Sequence, residues 1–119
     1  MHGKGIYFAN EIGLSWSYGC PNLSNGVGIY ILAEVALGNM GPSVGSYANE
    51  KNRLEQGYNS THVDRARPDP KDFTTVFGDV LVPYGKYESS SWSNNNMFIV
   101  YNTNQVKLRY IVRIKQKGY

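Results

Sequence analysis

The pattern of apolar and polar positions predicts a chain rich in strands, with few helices. Residues 6–9 form a short aromatic and β-branched run that is typical of a strand. Asn10 is a favourable helix N-cap, so residues 11–18 are expected to form about two helical turns. On that helix Ser15 and Tyr18, three positions apart, share one face. The N-terminal stretch therefore predicts a strand followed at once by a helix that carries a hydroxyl group and an aromatic ring.

The longest apolar run, residues 28–37, predicts a strand that is buried on both faces. Glu34 interrupts this run, and we interpret it as a structural residue because a carboxylate there needs a partner. A shorter strand over residues 77–83 ends at a proline. Residues 97–101 and 105–115 predict two more strands joined by a hairpin-type turn.

The intervening residues 41–75 are rich in glycine, proline and polar residues, with a short helix expected around 47–55. His62 follows Ser60-Thr61 in what reads as a loop, and we interpret it as a surface or hydrogen-bonded histidine rather than a catalyst. The elements together predict an α+β fold with a mainly antiparallel sheet and one or two short helices. No shift in composition marks a second domain within residues 1–119.

Composition narrows the class of protein further. With 119 residues, of which 41% are hydrophobic, the chain is expected to form one globular domain. It contains no apolar run of the roughly 18–20 residues that a membrane helix needs and no secretory pattern, so we expect a soluble protein that does not bind a membrane. Cys20 is the single cysteine, which excludes an internal disulfide and favours the nucleus or cytoplasm. It gives no basis for a metal site.

The net charge of +3 comes partly from the C-terminal strand. Its cations stand at odd positions and its apolar residues at even ones, which predicts a solvated face opposite a core face; the cations are Lys107, Arg109, Arg113, Lys115 and Lys117. The alternative is a stripe that binds nucleic acid. Because no aromatic residues interleave with the charges on that face, nucleic acid is not the expected partner.

Several motifs resemble the catalytic domain of the poly(ADP-ribose) polymerases. Gly3-Lys4-Gly5-Ile6-Tyr7-Phe8-Ala9, followed by Ser15-x-x-Tyr18, is similar to the nicotinamide-pocket motif of that family. Similar blocks follow in the family's order, and they cover nearly the whole chain: Glu34-Val35-Ala36-Leu37-Gly38-Asn39-Met40, Ser60-Thr61, Pro68-Asp69-Pro70, Val82-Pro83-x-Gly85, Asn96-Met97-Phe98-Ile99-Val100-Tyr101-Asn102 and Gln105-Val106-Lys107-Leu108-Arg109-Tyr110.

The resemblance implies an enzyme that takes ADP-ribose from NAD, transfers it to an acceptor protein and releases nicotinamide. By position, Tyr18 would stack on the nicotinamide, and Tyr7 would be the tyrosine of the family's His-Tyr-Glu signature on the other side. Ser15 would hydrogen-bond the carboxamide, and Gly5 would line the pocket. Stacking orients a planar ring at low entropic cost, and a buried amide needs its hydrogen bonds satisfied.

Two departures from the family pattern change this expectation. Met97 stands where the family has its catalytic glutamate, and a thioether neither ionises nor orients a ribose hydroxyl. We therefore expect mono-ADP-ribosylation or inactivity rather than polymer synthesis. The signature histidine belongs upstream of this stretch, and His2 does not occupy its position. The chain thus resembles the second half of a catalytic domain, without the upstream half that bears the histidine.

This half-site predicts weak NAD binding and open sheet edges, which another chain or an upstream segment would complete. Three hypotheses remain from the sequence. The first is an ADP-ribosyltransferase catalytic region, and the second is a catalytically silent module that binds a ligand or a partner. The third, a nucleic-acid-binding domain, rests only on the basic pI and the cations of the C-terminal strand.

Overall fold

The computed structural model describes residues 2–19, 25–43, 50–63, 66–68, 73–83, 87–89 and 97–118. Within these ranges the strands are β1 (Ile6–Ala9), β2 (Val27–Val35), β3 (Met40–Pro42), β4 (Ser60–Val63), β5 (Ala66–Pro68), β6 (Phe73–Val76), β7 (Val80–Pro83), β8 (Tyr87–Ser89), β9 (Met97–Val100) and β10 (Val106–Lys115). The α-helices are α1 (Ile12–Tyr18) and α2 (Glu50–Glu55). A 3-10 helix spans Thr103–Gln105. The predicted strand-rich α+β fold is confirmed.

A four-stranded sheet in the order β1-β9-β4-β3 forms the centre of the fold. Strand β9 pairs antiparallel with both β1 and β4, whereas β3 and β4 run parallel. The β-branched pair Ile99 and Val100 on β9 is fully buried, and Val63 on β4 is 6% exposed. Because neighbouring β9 residues point to opposite faces, both faces of the sheet are covered at this point. The core therefore lies around the middle of β9.

Strand β2 pairs with β10 in a separate two-stranded ribbon. The expectation that the 28–37 run is buried on both faces is wrong, because Ile29 is 70% exposed and Ile31 57% exposed. Across the ribbon, Ile111 opposite Ile31 is 77% exposed. A two-stranded ribbon cannot bury both of its own faces, and in the described parts of the chain little else packs on this one.

The connection between β9 and β10 is not the predicted hairpin turn, because the two strands belong to different sheets. Asn102 caps the 3-10 helix by accepting a hydrogen bond from the Asn104 N–H at 2.9 Å. The Gln105 side chain accepts from the Asn102 N–H at 3.1 Å and completes a capping box. Its amide donates to the carbonyls of Ala36 and Asn59, at 2.9 and 3.0 Å. These bonds fix the chain as it passes from one sheet to the other.

Two predicted elements, the helix at 11–18 and the strand at 77–83, begin at later residues in the structure than the sequence predicted. Helix α1 is confirmed, but its N-cap is Glu11, in an extended conformation and without a side-chain cap, rather than Asn10. The predicted strand at 77–83 begins only at Val80, because Phe77 and Gly78 take positive φ in the turn between β6 and β7. Of the helix expected around 47–55, the structure describes Glu50–Glu55 as helical, and residues 47–49 lie outside the described ranges.

None of the helices described is long and apolar enough to cross a membrane.

Candidate active site

The central sheet brings two of the predicted site residues to one face. In the antiparallel register Tyr7 lies opposite Ile99, and Ala9 lies opposite Met97. Residues paired across strands point to the same face, and residues two apart along a strand do so as well. Tyr7 and Met97 are therefore diagonal neighbours on one face, a relationship in which Cα atoms lie roughly 7–8 Å apart. Thr61, opposite Ile99 on β4, shares this face.

The segment before β1 folds back to the Tyr7 hydroxyl. This hydroxyl donates to the Gly3 carbonyl and accepts from the His2 N–H at 3.2 Å. The His2 Nδ1 in turn lies 2.6 Å from the Ser43 Oγ, just beyond β3. The ring of Tyr7 keeps contact with solvent, since the residue is 37% exposed. Tyr7 thus has a hydrogen-bonded hydroxyl and keeps part of its surface exposed, and its predicted contact with nicotinamide stays a prediction.

Gly5 makes a close approach to β9. A Cβ atom at this position would lie 2.5 Å from the Ile99 Cγ2 and 2.8 Å from the Val100 carbonyl oxygen. No side chain fits in that space, so the structure explains the glycine by packing alone. The predicted role of Gly5 in lining the nicotinamide pocket stays a prediction.

Ser15 and Tyr18 lie on α1, which packs beside β1. Trp16 orients this helix by stacking on Tyr30 of β2, with ring centroids 5.8 Å apart and planes at 19°. Tyr18 is 76% exposed, so the described residues do not enclose its ring. The hydroxyl of the neighbouring Ser17 donates to the Leu14 carbonyl at 2.7 Å. The predicted contacts of Ser15 and Tyr18 with nicotinamide stay predictions.

A buried arginine supports the same face of the sheet and was not identified from the sequence. Arg53 on α2 is 1% exposed and donates to the Pro42 carbonyl at 2.7 Å and to the Tyr101 hydroxyl at 3.2 Å. The Tyr101 hydroxyl also bonds the hydroxyl of Thr61. The guanidinium lies 4.8 Å from the centroid of the Tyr58 ring. This network, the Arg53 network, joins α2 to β3, β4 and the end of β9. The residues around Arg53 on α2 are mostly polar, as in an exposed helix, so the sequence did not predict that Arg53 is buried.

Glu34 has the partner that its position in an apolar run predicted. Its Oε2 accepts from the Arg109 Nε at 2.8 Å and from the Arg109 Nη2 at 2.5 Å. The Arg109 guanidinium also lies 4.3 Å from the centroid of the Phe77 ring. Arg109 is thus not one of the solvated charges expected on the C-terminal strand. The reason is a shift in register between Leu108 and Tyr110, which interrupts the strict alternation of faces.

His62 lies in strand β4 and not in a loop, which corrects the expectation from sequence. It stands opposite Phe98 of β9, and the two rings stack with centroids 4.7 Å apart and planes at 4°. The two residues belong to the face opposite Tyr7 and Met97, because they are offset by one position from Thr61 and Met97. His62 is therefore not part of the candidate NAD site.

Within the described ranges, no cluster of His, Cys, Asp and Glu side chains is arranged to hold a metal ion. The site described above consists of rings, hydroxyl groups and one thioether. Such groups bind a planar organic ligand by stacking and hydrogen bonding.

Comparison with known proteins identifies a family whose members bind an organic substrate with planar rings, NAD. Residues 1–116 match the model of the poly(ADP-ribose) polymerase catalytic domain. The chain is 35% identical over 119 residues to poly [ADP-ribose] polymerase 2 of Arabidopsis thaliana, covering 97% of the chain and 19% of that protein. It is 37% identical over 120 residues to poly [ADP-ribose] polymerase 1 of Xenopus laevis, covering 97% of the chain and 12% of that protein. The corresponding protein of Oryza sativa subsp. japonica is 35% identical over 120 residues, again with 97% and 12% covered.

The chain thus spans less than a fifth of the length of these relatives. The match lies in the catalytic domain, whose members use NAD as the donor of ADP-ribose. The matched residues include the strand, the helix and the closing strands on which the candidate site is built. The chain belongs to the poly(ADP-ribose) polymerase catalytic domain family.

Proposed function

We propose that this chain forms the nicotinamide side of an NAD-dependent protein ADP-ribosyltransferase that transfers single ADP-ribose units. In the reaction, the bond between nicotinamide and the ribose C1′ breaks, nicotinamide leaves, and a nucleophile of the acceptor protein bonds to C1′. The observation that carries the proposal is the diagonal placement of Tyr7 and Met97 on one face of the central sheet. The same face carries the accessible ring of Tyr7 beside α1, the helix of Ser15 and Tyr18.

Each residue has a role that its chemistry supports. Tyr7 and Tyr18 hold the nicotinamide between their rings, and Ser15 hydrogen-bonds the carboxamide. Gly5 brings the chain close to β9 and so lets the segment before β1 pass over Ile99. These roles orient the leaving group, and orientation alone lowers the barrier to a displacement reaction.

Met97 determines whether the site can add further ADP-ribose units after the first. Cleavage develops positive charge on the ribose, and a carboxylate against the ribose would stabilise that charge and orient its hydroxyl groups. A thioether is only a weak hydrogen-bond acceptor and carries no charge. Chain elongation, which needs a second ribose hydroxyl to be activated, is therefore the step that Met97 excludes, whereas a single transfer to a reactive acceptor side chain remains feasible.

A second candidate function is a catalytically silent module that binds NAD or a protein partner. Met97 favours it as well, because loss of the carboxylate removes transition-state stabilisation without removing the stacking residues. The exposed ribbon of β2 and β10 adds a surface on which another chain or an upstream segment would complete the sheet.

Incubating the natural gene product, purified from its own cells, with NAD and an acceptor extract separates these functions. Intact-mass analysis of the products that shows acceptors heavier by one ADP-ribose unit supports mono-transfer. Ladders of added units contradict the role given to Met97. NAD binding with neither modification nor nicotinamide release supports the silent module.

The acceptor is proposed to be a protein, as the family resemblance implies, and the compartment to be the nucleus or the cytoplasm. The support for the compartment is the single cysteine, Cys20, which suits a reducing environment. Imaging of the tagged natural protein in its own cells tests this point.

A further inference from the structure

A cavity of about 750 Å³ lies on the face of the central sheet that carries Phe8 and Phe98. The ribbon of β2 and β10 forms a second wall, and the hairpin of β6 and β7 forms a third. We refer to this hairpin, residues 73–83, as the strap. Among the described strands, β6 and β7 pair only with each other. The strap is therefore held on the ribbon by side chains and not by a ladder of backbone hydrogen bonds between described strands.

Phe77, at the turn of the strap, has a costly backbone conformation. Its φ is 52°, and the other non-glycine residue with positive φ in the described ranges is Asn25. An asparagine tolerates this left-handed region because its short polar side chain bonds locally, whereas a bulky residue there is an outlier. Such strain persists only where the surrounding contacts offset it. The contacts of the Phe77 ring are therefore expected to hold the turn in this conformation.

The Phe77 ring contacts two side chains of the ribbon. The Arg109 guanidinium lies 4.3 Å from its centroid, and the Tyr110 ring stacks on it with centroids 6.2 Å apart and planes at 26°. The Oε2 of Glu34 accepts from the Arg109 Nε at 2.8 Å and so orients the guanidinium. We refer to these four residues as the clasp. Three of them, Glu34, Phe77 and Arg109, also line the cavity, so the clasp lies in the cavity wall.

The strain and the contacts of the clasp are of similar size. Phe77 is 50% exposed, and the Arg109 side chain is 25% exposed. Cation–π and ring-stacking contacts at partly exposed sites are weak, and the strain of a left-handed bulky residue is of the same order. Because the two effects oppose each other and neither dominates, the fastened and released forms of the clasp are close in free energy. Two forms that close are both populated.

We propose that the strap opens and closes over the cavity, with the clasp as its fastening. In the closed form Phe77 is left-handed and its ring contacts Arg109 and Tyr110. In the open form Phe77 returns to negative φ, its ring leaves both partners, and the strap lifts off the ribbon as one unit. Opening removes one wall and exposes the apolar lining, including Leu37 and Val80, and closing covers it again. The strap thus controls access to this cavity, on the face of the sheet opposite the proposed NAD site.

The test is ¹⁵N relaxation dispersion and saturation-transfer NMR on the backbone amides of the full chain, which detect minor states on the time scale of lid motions. We expect Phe77 and Leu81 to share one exchange rate and one minor population, because the strap moves as a unit. Ile99, in the buried core of β9, is expected to show no such exchange. In the minor state the Cα shift of Phe77 is expected to leave the range of left-handed residues.

Two variants weaken the clasp from different sides. Arg109→Gln removes the cation and is expected to raise the minor population about two- to fivefold, the effect of one exposed cation–π contact. Tyr110→Leu removes the stacked ring, is expected to raise it about two- to tenfold, and keeps the test valid if Arg109→Gln does not fold. Arg113→Gln removes an exposed cation opposite Ile29 on the same strand and is expected to leave the population unchanged.

Four results would each overturn the proposal. The first is no exchange at Leu81, and the second is exchange at Phe77 alone, which would be a local motion of the turn. The third is exchange at Ile99 with the same rate, which would be unfolding of the whole domain. The fourth is a minor population that the folded clasp variants raise no more than Arg113→Gln does.

Discussion

Tyr7 and Met97 are diagonal neighbours across the pair of strands β1 and β9, on one face of the central sheet. The family resemblance predicts that these are the positions of the tyrosine and the glutamate of the catalytic signature, which places a thioether where the family has a carboxylate.

Tyr18→Ala is expected to weaken binding of NAD or nicotinamide by about two- to tenfold, since a stacking pair contributes about 0.5–1.5 kcal/mol beyond its buried area. Because Tyr18 is 76% exposed, the substitution leaves the packing of the domain intact. Titration calorimetry checks this, with Tyr18→Phe expected to bind as the wild type does. Tyr110→Ala, on the separate ribbon, is the matched control for loss of an exposed ring. Equal weakening by both alanine variants would remove Tyr18 from the pocket.

Ser15→Ala is expected to weaken nicotinamide binding by a similar factor, through loss of one hydrogen bond of about 0.5–1.5 kcal/mol. Ser17→Ala is the control on the same helix, because the Ser17 hydroxyl bonds the Leu14 carbonyl and is not assigned to the ligand. Competition of nicotinamide against a fluorescent NAD analogue measures both. If Ser17→Ala has the larger effect, the helix face has been assigned incorrectly.

Gly5→Ala is expected to lower the free energy of unfolding by about 1–3 kcal/mol, the usual cost of forcing atoms into a packed site. The added Cβ would meet the Ile99 side chain at 2.5 Å, and Ile99 is fully buried. Gly13→Ala is the contrasting substitution: a Cβ there meets nothing within 4 Å, and alanine in a helix is favoured by about 1 kcal/mol over glycine. Urea denaturation should move the midpoint in opposite directions for the two variants. A neutral Gly5→Ala would show that this glycine is retained for another reason, such as ligand approach.

Arg53→Ala is expected to destabilise the domain by about 2–5 kcal/mol, in the range of other large-to-small changes at buried sites. It removes the donor to the Pro42 carbonyl and one of the two partners of the Tyr101 hydroxyl, and it removes a side chain that, with Tyr58, fills the space over Gly41. Lys51→Ala on the same helix is the control. Its side chain is 83% exposed and pairs with Glu55 at 3.9 Å, so we expect a change of no more than about 0.5 kcal/mol. Comparable losses in thermal denaturation would contradict a structural role for the Arg53 network.

The sequence was informative where structure is decided locally. The strand at Ile6–Ala9 and the helix at Ile12–Tyr18 follow from side-chain shape and periodicity over a few residues. The sequence also predicted that Glu34 has a partner, because burying an unpaired carboxylate costs free energy wherever it occurs. The identity of that partner, Arg109, was hidden by the bulge that turns it out of the regular alternation.

The sequence-based predictions that were wrong concern the pairing of strands that lie far apart along the chain. Strands β9 and β10 are close in sequence and resemble a hairpin, but β9 pairs with β1 and β4, far away along the chain. Likewise the apolar run at 28–37 predicted a strand buried on both faces, and only the topology reveals that this strand pairs with β10 alone among the described strands. The burial of Arg53 and the stack of His62 on Phe98 depend on the same distant partners. No local pattern carries that information.

The most direct test of the account is the rate of nicotinamide release from NAD by Met97→Glu in the natural gene product, compared with the wild type and with Met97→Gln. The account predicts a gain on the order of a hundredfold or more for Met97→Glu, the scale of one preorganised electrostatic contact in a transition state. Met97→Gln, similar in length but uncharged, is expected to gain far less. A Met97→Glu protein that folds, binds NAD and is no faster than the wild type would contradict the assignment of this sheet face as a transferase site.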